Sequence, residues 1–263
     1  MDSTSPVTVI TGASAGIGAE LARQLGRAGH RLVLAARREE ELRRVATEAG
    51  DEARPIVTDV RSRADVERLR DAALEAFGQV DVWVNNAGRG IGVPVLELTD
   101  EQFDEMMQVN VKSALYGMQA IVPHFQQRNA GHLINVSSFL GRVPLASYRS
   151  AYNAAKAALN ALTANLRMDL GRTHPGIRVS LVMPGIVRTE FAGNALGGTP
   201  QAQWNAAAGG RGGGPQAQTV EEVAAAIAAL IAEPRAELYT NRASAGIAKK
   251  YFEDVEGFEA GMR

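Results

Sequence analysis

The chain has 263 residues, 46% hydrophobic and 22% charged, a globular composition that excludes disorder and fibre. Twenty-eight Lys and Arg face 29 Asp and Glu, for a net charge of -1, so no global pull toward nucleic acid or anionic membrane is built in. Cysteine is absent, which removes disulfides, thiolate zinc sites, iron–sulfur clusters and cysteine nucleophiles. His30, His124, His132 and His174 are scattered singly, with no i, i+4 pair, so no metal site is expected. The apolar run Val7 to Ile10 is too short for a signal peptide, and nothing approaches the roughly 18 apolar residues of a membrane span. A cytoplasmic protein with neither membrane nor nucleic-acid partner is expected.

Short β-branched runs alternate with helical patterns from the start, the signature of βαβ units around a parallel sheet covered on both faces. Strands are predicted at Val7 to Thr11, Arg31 to Ala36, Ala53 to Thr58, Val80 to Asn85, His132 to Val136, Arg178 to Met183 and Glu237 to Thr240. Helices fill the gaps at Gly16 to Ala28, Glu39 to Ala49, Arg63 to Phe77, Asp100 to Arg128, Ala151 to Gly171 and Val220 to Ile231, with Thr99 as an N-cap. The fold class is α/β, a single doubly wound Rossmann-type domain over residues 1–263 with a sheet of about seven strands. Gly193 to Gln218 breaks the pattern with eight glycines. So long a loop in a compact domain reads as a lid, a binding loop or disorder.

The first strand runs into Thr11-Gly12-Ala13-Ser14-Ala15-Gly16-Ile17-Gly18, and a helix pattern follows at once. Gly12 suits a tight turn, Gly16 lets backbone N–H groups approach a pyrophosphate, and Gly18 lets the helix press on the sheet. The helix N-terminus offers unpaired donors to the anion. The Gly-Lys-Ser/Thr ending of a P-loop is absent, which disfavours a nucleoside triphosphatase. A glycine turn alone is a weak signal that a structural turn also produces. The end of the second strand sharpens it, because an acid there accepts from an adenosine ribose, whereas arginine suits a 2'-phosphate. This chain has Arg37 and Arg38. NADP(H) is therefore favoured, with NAD(H) open and a merely solvated Arg pair as the bland alternative.

Tyr152 and Lys156 stand at i, i+4 on a helix pattern, which stacks phenol and ammonium on one face. Five tyrosines and four lysines in this chain give roughly 0.08 such pairs by chance. An adjacent ammonium is expected to draw the phenol's pKa down toward the operating range. Ser138, just past the fifth strand, is placed to hydrogen-bond a reacting oxygen, although a serine there can equally cap a turn.

With these residues assembled, the chain resembles the short-chain dehydrogenase/reductase family from its first strand to Thr189. The likeness rests on the turn at Thr11 to Gly18, Asp59-Val60, Asn85-Asn86-Ala87-Gly88, Asn110, Ser138, Tyr152 to Lys156, and Pro184-Gly185 with Thr189 following. It implies that Gly12, Ser14, Ala15, Gly16, Ile17 and Gly18 cradle the cofactor and that Asp59 and Val60 hold the adenine. Asn86, Ala87 and Gly88 would line the adenosine ribose, Val187 and Thr189 would anchor the carboxamide, and Pro184 and Gly185 would also bind the cofactor. Tyr152 would be the acid for reduction and the base for oxidation, and Ser138 would polarise the substrate oxygen. Lys156 would hold the nicotinamide ribose, and the Asn110 main chain would fix a relay water.

The gap from Ser138 to Tyr152 is fourteen residues, one more than the family's usual thirteen. An insertion within Arg142 to Ser150 would reshape the pocket rim; with another register, Ser137 takes the role. Ala15 stands where NADP-using members often carry a basic residue, so the cofactor preference leans on Arg37, Arg38 and Ser14. The substrate should meet Arg89 to Leu98, Phe139 to Tyr148 and Glu190 to Gln218, which offer Phe139, Leu140, Val143, Leu145, Tyr148, Phe191 and Trp204. This predicts a moderately apolar carbonyl or alcohol beneath a mobile lid, or else aromatics that are core. The helix from Ala151 carries too wide an apolar stripe for one solvated side, which predicts a homo-oligomer, dimer or tetramer. The reading favoured is an NADP(H)-dependent oxidoreductase; the alternatives are an NAD-linked alcohol dehydrogenase and a catalytically silent dinucleotide sensor or scaffold.

Overall fold

The computed structural model describes residues 5–188, 196 and 217–262. Seven parallel strands form one sheet in the order β3-β2-β1-β4-β5-β6-β7. They are β1 Val7–Thr11, β2 Arg31–Ala36, β3 Ala53–Val57, β4 Val82–Asn85, β5 Gly131–Val136, β6 Ile177–Met183 and β7 Glu237–Tyr239. Each expected strand is present with ends shifted by a residue or two; β4, for instance, starts at Val82 rather than Val80.

Side-chain alternation explains the two helical layers. Ile10, Leu32, Leu34, Val82, Val84, Ile134 and Val182 point to one face and pack with α1 (Gly16–Arg27), α2 (Glu39–Ala49) and α7 (Val220–Ala232). Val7, Val9, Val33, Trp83, Leu133 and Val179 point to the other and pack with α3 (Arg63–Phe77), α5 (Ser113–Arg128) and α6 (Ser150–Thr173). Period-two strands buried on both faces read as continuous apolar runs, which is what β1 and β2 show. The helices start where local chemistry dictates: Ser62 accepts from the Asp65 amide, and Thr99 with Gln102 and Thr219 with Glu222 form reciprocal capping boxes.

Two features depart from the expected elements. The helix expected from Asp100 to Arg128 is α4 (Asp100–Met107) and α5 joined by a π-helical turn, Gln108–Lys112. In that turn the Ser113 amide reaches back five residues to the Gln108 carbonyl, and the Ser113 hydroxyl takes the Val109 carbonyl at 2.5 Å. Beyond β7 the chain forms α8 (Ala243–Glu253) and α9 (Val255–Ala260), neither of which was anticipated. β1 lies between β2 and β4, so the strand order reverses there and opens a crevice at the carboxyl ends of β1 and β4. Both glycine-bearing motifs follow these two strands.

Candidate active site

The turn after β1 is held by hydrogen bonds rather than by bulk. The Thr11 hydroxyl donates to the Val84 carbonyl and accepts from the Asn86 and Ala87 amides at 3.0 and 3.1 Å. The Asn86 carboxamide donates to the Thr11 and Gly12 carbonyls at 2.9 and 3.3 Å. This clamp leaves no room for side chains: a Cβ on Gly18 would lie 2.5 Å from both the Gly12 carbonyl oxygen and Asn86 Nδ2. Gly12 and Gly16 have φ of +68° and +55°, a region costly for other residues. No side chain caps the start of α1, whose first N–H groups face the crevice. A concave cradle of backbone donors at a dipole's positive end fits a pyrophosphate.

At the end of β2, the Arg38 guanidinium donates to the Ser14 hydroxyl at 3.2 and 3.3 Å and to Glu41 at 3.4 Å. Ser14, expected as a further phosphate donor, is in direct contact with this arginine at the rim of the cradle. Asp59 accepts a two-pronged bond from Arg61, with distances of 2.7 to 3.1 Å. That bond, with help from Arg37, holds the Asp59 carboxyl below its usual range.

The π turn carries Asn110, whose side chain faces the opposite way from a free polar group. Its Nδ2 donates to the Arg89 and Met106 carbonyls at 2.9 and 3.1 Å, while Oδ1 accepts from the Arg89 amide at 3.2 Å. The side chain therefore pins the strand-following loop.

Ser137 and Ser138 part company just past β5. Ser137 turns into the fold, donating to Asn160 at 2.5 Å and to the Lys156 carbonyl at 3.2 Å. The Ser138 hydroxyl accepts from the Leu140 amide at 3.1 Å and is hydrogen-bonded to Tyr152. Both serines line the cavity, and Ser138 is the one bonded to Tyr152. A 3-10 turn, Phe139–Gly141, follows Ser138. Tyr152 and Lys156 sit one turn apart at the start of α6, 7% and 3% exposed. Lys156 Nζ donates to the Val136 carbonyl at 3.0 Å and lies 5.7 Å from the Tyr152 ring centre. Burial alone lowers Lys156 to about 8.

One expectation is corrected here. Burial raises the Tyr152 phenol above its ordinary value, opposed by its bond with Ser138 and by the Arg149 cation, and Lys156 is not among the causes. Desolvation of the phenolate form sets the direction.

These residues share a cavity of about 1160 Å³ that runs from the glycine turn to the C-terminal helices. It is lined by every candidate site residue among the described ones except Gly18 and Asn110, which support it from behind. Val187 pairs with Gln218, and the Pro184 carbonyl accepts from the Phe139 amide at 2.8 Å, which fixes the loop after β6. Thr189, Phe191, Trp204 and most of the glycine-rich loop lie outside the described residues. Of the expected substrate contacts, Phe139, Leu140, Leu145 and Tyr148 reach the cavity, whereas Val143 is core, packed with Ala248.

Sequence reasoning missed several lining residues: Arg149 at the head of α6, and Ile247, Lys250, Phe258 and Met262 from the C-terminal segment. Ser244, Ile247, Ala248 and Tyr251 do repeat at helical spacing, so α8 had a readable signal.

The profile of the short chain dehydrogenase family matches residues 6–197. An uncharacterized oxidoreductase of Staphylococcus epidermidis is 35% identical over 183 residues, 70% of this chain and 78% of that protein. Among solved structures, a short chain dehydrogenase/reductase from Burkholderia phymatum in complex with NAD superimposes with a TM-score of 0.85 at 30% identity, over 97% of this chain and 96% of that one. An alcohol dehydrogenase from Thermococcus sibiricus complexed with 5-hydroxy-NADP gives 0.76 at 30% identity, over 90% of this chain and 97% of that one. With the sheet order, the cradle and the matched profile agreeing over most of its length, the chain belongs to the short-chain dehydrogenase/reductase family of oxidoreductases.

Proposed function

We propose that this protein is an NADP(H)-preferring carbonyl reductase in which Tyr152 supplies the proton. The observation that carries the reading is the convergence of Ser138, Tyr152 and Lys156 on one cavity with the glycine cradle. Gly12, Gly16 and the α1 N-terminus would hold the pyrophosphate, Arg37, Arg38 and Ser14 the 2'-phosphate, and Asp59, Val60 and Asn86 to Gly88 the adenosine. Lys156, Pro184, Gly185, Val187 and Thr189 would hold the nicotinamide end. When bound, the reduced nicotinamide supplies the hydride, two electrons and a hydrogen, to the carbonyl carbon.

The remaining steps belong to the chain. Ser138 donates a hydrogen bond to the carbonyl oxygen and polarises it. Tyr152 gives its phenolic proton to that oxygen as negative charge develops, and solvent restores it through Lys156 and the Asn110 main chain. A phenol pushed upward by burial is protonated at neutral pH, which suits an acid and therefore the reductive direction. An intact Ser138, with its hydroxyl on Tyr152, is more than a silent cofactor sensor requires.

The cofactor preference rests on Arg38 seated on Ser14, with no acid closing β2. NADPH should bind at least about tenfold tighter than NADH in fluorescence titrations, a difference of roughly 1.4 kcal/mol, and Arg38→Glu should reverse the order. Tighter NADH binding by the unaltered protein would overturn the preference. A homo-oligomer belongs to the same reading, because α6 leaves Ala154, Ala157, Ala161 and Met168 exposed on one side. A monomer in sedimentation velocity would contradict it.

A further inference from the structure

Between Ser138 and the helix that carries Tyr152 stands a side chain to which the proton chemistry gives no role. Asn160 follows Lys156 by one turn of α6 and Tyr152 by two. It lies outside the cavity lining, to which Ser137 and Ser138 both belong. Its carboxamide bonds to the chain on either side of Ser138: Oδ1 accepts from the Ser137 hydroxyl at 2.5 Å, and Nδ2 donates to the Gly141 carbonyl at 3.0 Å. A carbonyl can only accept, so the amide nitrogen faces Gly141 and the oxygen faces Ser137. Both ends of the side chain are thus committed to the segment from Ser137 to Gly141.

That segment is anchored in two directions. The Ser137 amide donates to the Val182 carbonyl and the Phe139 amide to the Pro184 carbonyl, each at 2.8 Å, which ties it to β6 and the loop beyond. These bonds fix Ser138 relative to the sheet, whereas its distance from Tyr152 depends on how the segment seats on α6. Toward α6 it is held by the two Asn160 bonds and by a longer one from the Ser137 hydroxyl to the Lys156 carbonyl, 3.2 Å. The fit is tight: a Cβ on Gly141 would lie 2.6 Å from the Lys156 carbonyl carbon and 2.8 Å from its oxygen.

We propose that Asn160 is a positioning residue of the reductase, clamping the chain at Ser137 and Gly141 so that the Ser138 hydroxyl stays in register with Tyr152. The proposal rests on the carbonyl reductase reading and adds a residue that acts through Ser138 rather than on the substrate. Loss of the clamp leaves the ties to β6 intact and lets the turn tilt away from α6. A misplacement of about 1 Å at a reacting group can cost a reaction about 10²-fold. Asn160→Asp is the sharpest change, since it keeps the shape of the side chain but replaces the donor facing the Gly141 carbonyl with an acceptor, oxygen against oxygen.

The test compares NADPH-dependent ketone reduction by the wild type, Asn160→Asp, Ser138→Ala and the double variant, with thermal melting followed alongside. Asn160→Asp should lower kcat by about 10- to 10²-fold, while KM and the NADPH dissociation constant stay within a few-fold. Beside Ser138→Ala the same change should cost less than about twofold, because the group that Asn160 aligns is already gone. A merely structural role would cost the same in both backgrounds. That result, or a wild-type kcat in Asn160→Asp, overturns the positioning role and leaves the reductase reading standing. If Asn160→Asp is unfolded at the assay temperature, Ser137→Ala takes its place, since it removes one leg of the clamp. Its expected loss in kcat is about three- to tenfold, absent beside Ser138→Ala; a loss that persists there overturns the proposal. A wild type that reduces no ketone refutes the reductase reading instead, and the alignment is then read by NMR of protein isotopically labelled at tyrosine Cζ. The Tyr152 resonance, assigned by its absence in Tyr152→Phe, should move the same way in Asn160→Asp as in Ser138→Ala, and an unmoved resonance overturns the clamp.

Discussion

Tyr152→Phe is expected to lower kcat/KM for carbonyl reduction by about 10² to 10⁴-fold, the usual range for losing a positioned proton donor, while NADPH binds within a few-fold of the wild type. The substitution removes one oxygen from a side chain that is 7% exposed and already packed with Ile91, Val93, Met106 and Ala151. The ring therefore stays in place, and only the proton is lost. Because burial raises the phenol, reduction by the wild type should stay level through neutral pH and decline only in alkaline solution, as the acid form disappears. Alcohol oxidation, which needs the phenolate, should rise with pH instead. Turnover by the Phe variant at the wild-type rate, measured by loss of reduced-cofactor absorbance, would contradict the assignment.

The second large effect concerns stability at the same site. Lys156 has an ordinary value of 10.5 and a value of about 8 when folded, lowered by burial. Between those two values the unfolded chain holds a proton that the native protein has released. Folding is therefore strengthened as pH rises from about 8 toward 10.5, by about 3 kcal/mol in all. Below pH 8 that contribution is absent, since both states are charged and the native one carries a buried ammonium. At neutral pH the lysine to which the proposed reaction gives a role is thus a stability cost, with its bond to the Val136 carbonyl offsetting part of it. Urea unfolding at pH 7.5 and pH 10 should show the wild type gaining roughly 2 to 3 kcal/mol relative to Lys156→Met. Equal pH responses of the two proteins would refute this account of the burial.

How much of this was legible beforehand depended on whether a residue type has few other uses. Glycines directly between a strand and a helix, and a Tyr–Lys pair in a chain with four lysines, have few competing explanations. They pointed to residues that line the cavity. Alternating and helical periodicities gave every strand and most helices, because burial on both faces of the sheet demands them. The π turn at Asn110 was invisible, since one shifted hydrogen bond leaves the apolar period of a 29-residue helical stretch nearly intact. Arg149 is one of 24 arginines, and only the folding of Gly90 to Val93 and the α6 N-terminus around it marks it as a cavity residue. The Tyr152 pKa was misjudged for a related reason. Local spacing shows which charge is near, whereas desolvation is set by the whole surrounding fold.

The most direct measurement follows a label. NADPH carrying deuterium at the transferable nicotinamide position is incubated with neutral and acidic ketones, and the alcohol is analysed by mass spectrometry. The account predicts deuterium on the carbinol carbon, a solvent-derived hydroxyl hydrogen, and product from the Tyr152→Phe protein at no more than about one hundredth of the wild-type rate. Unlabelled alcohol, or labelled alcohol formed equally fast by both proteins, would contradict it.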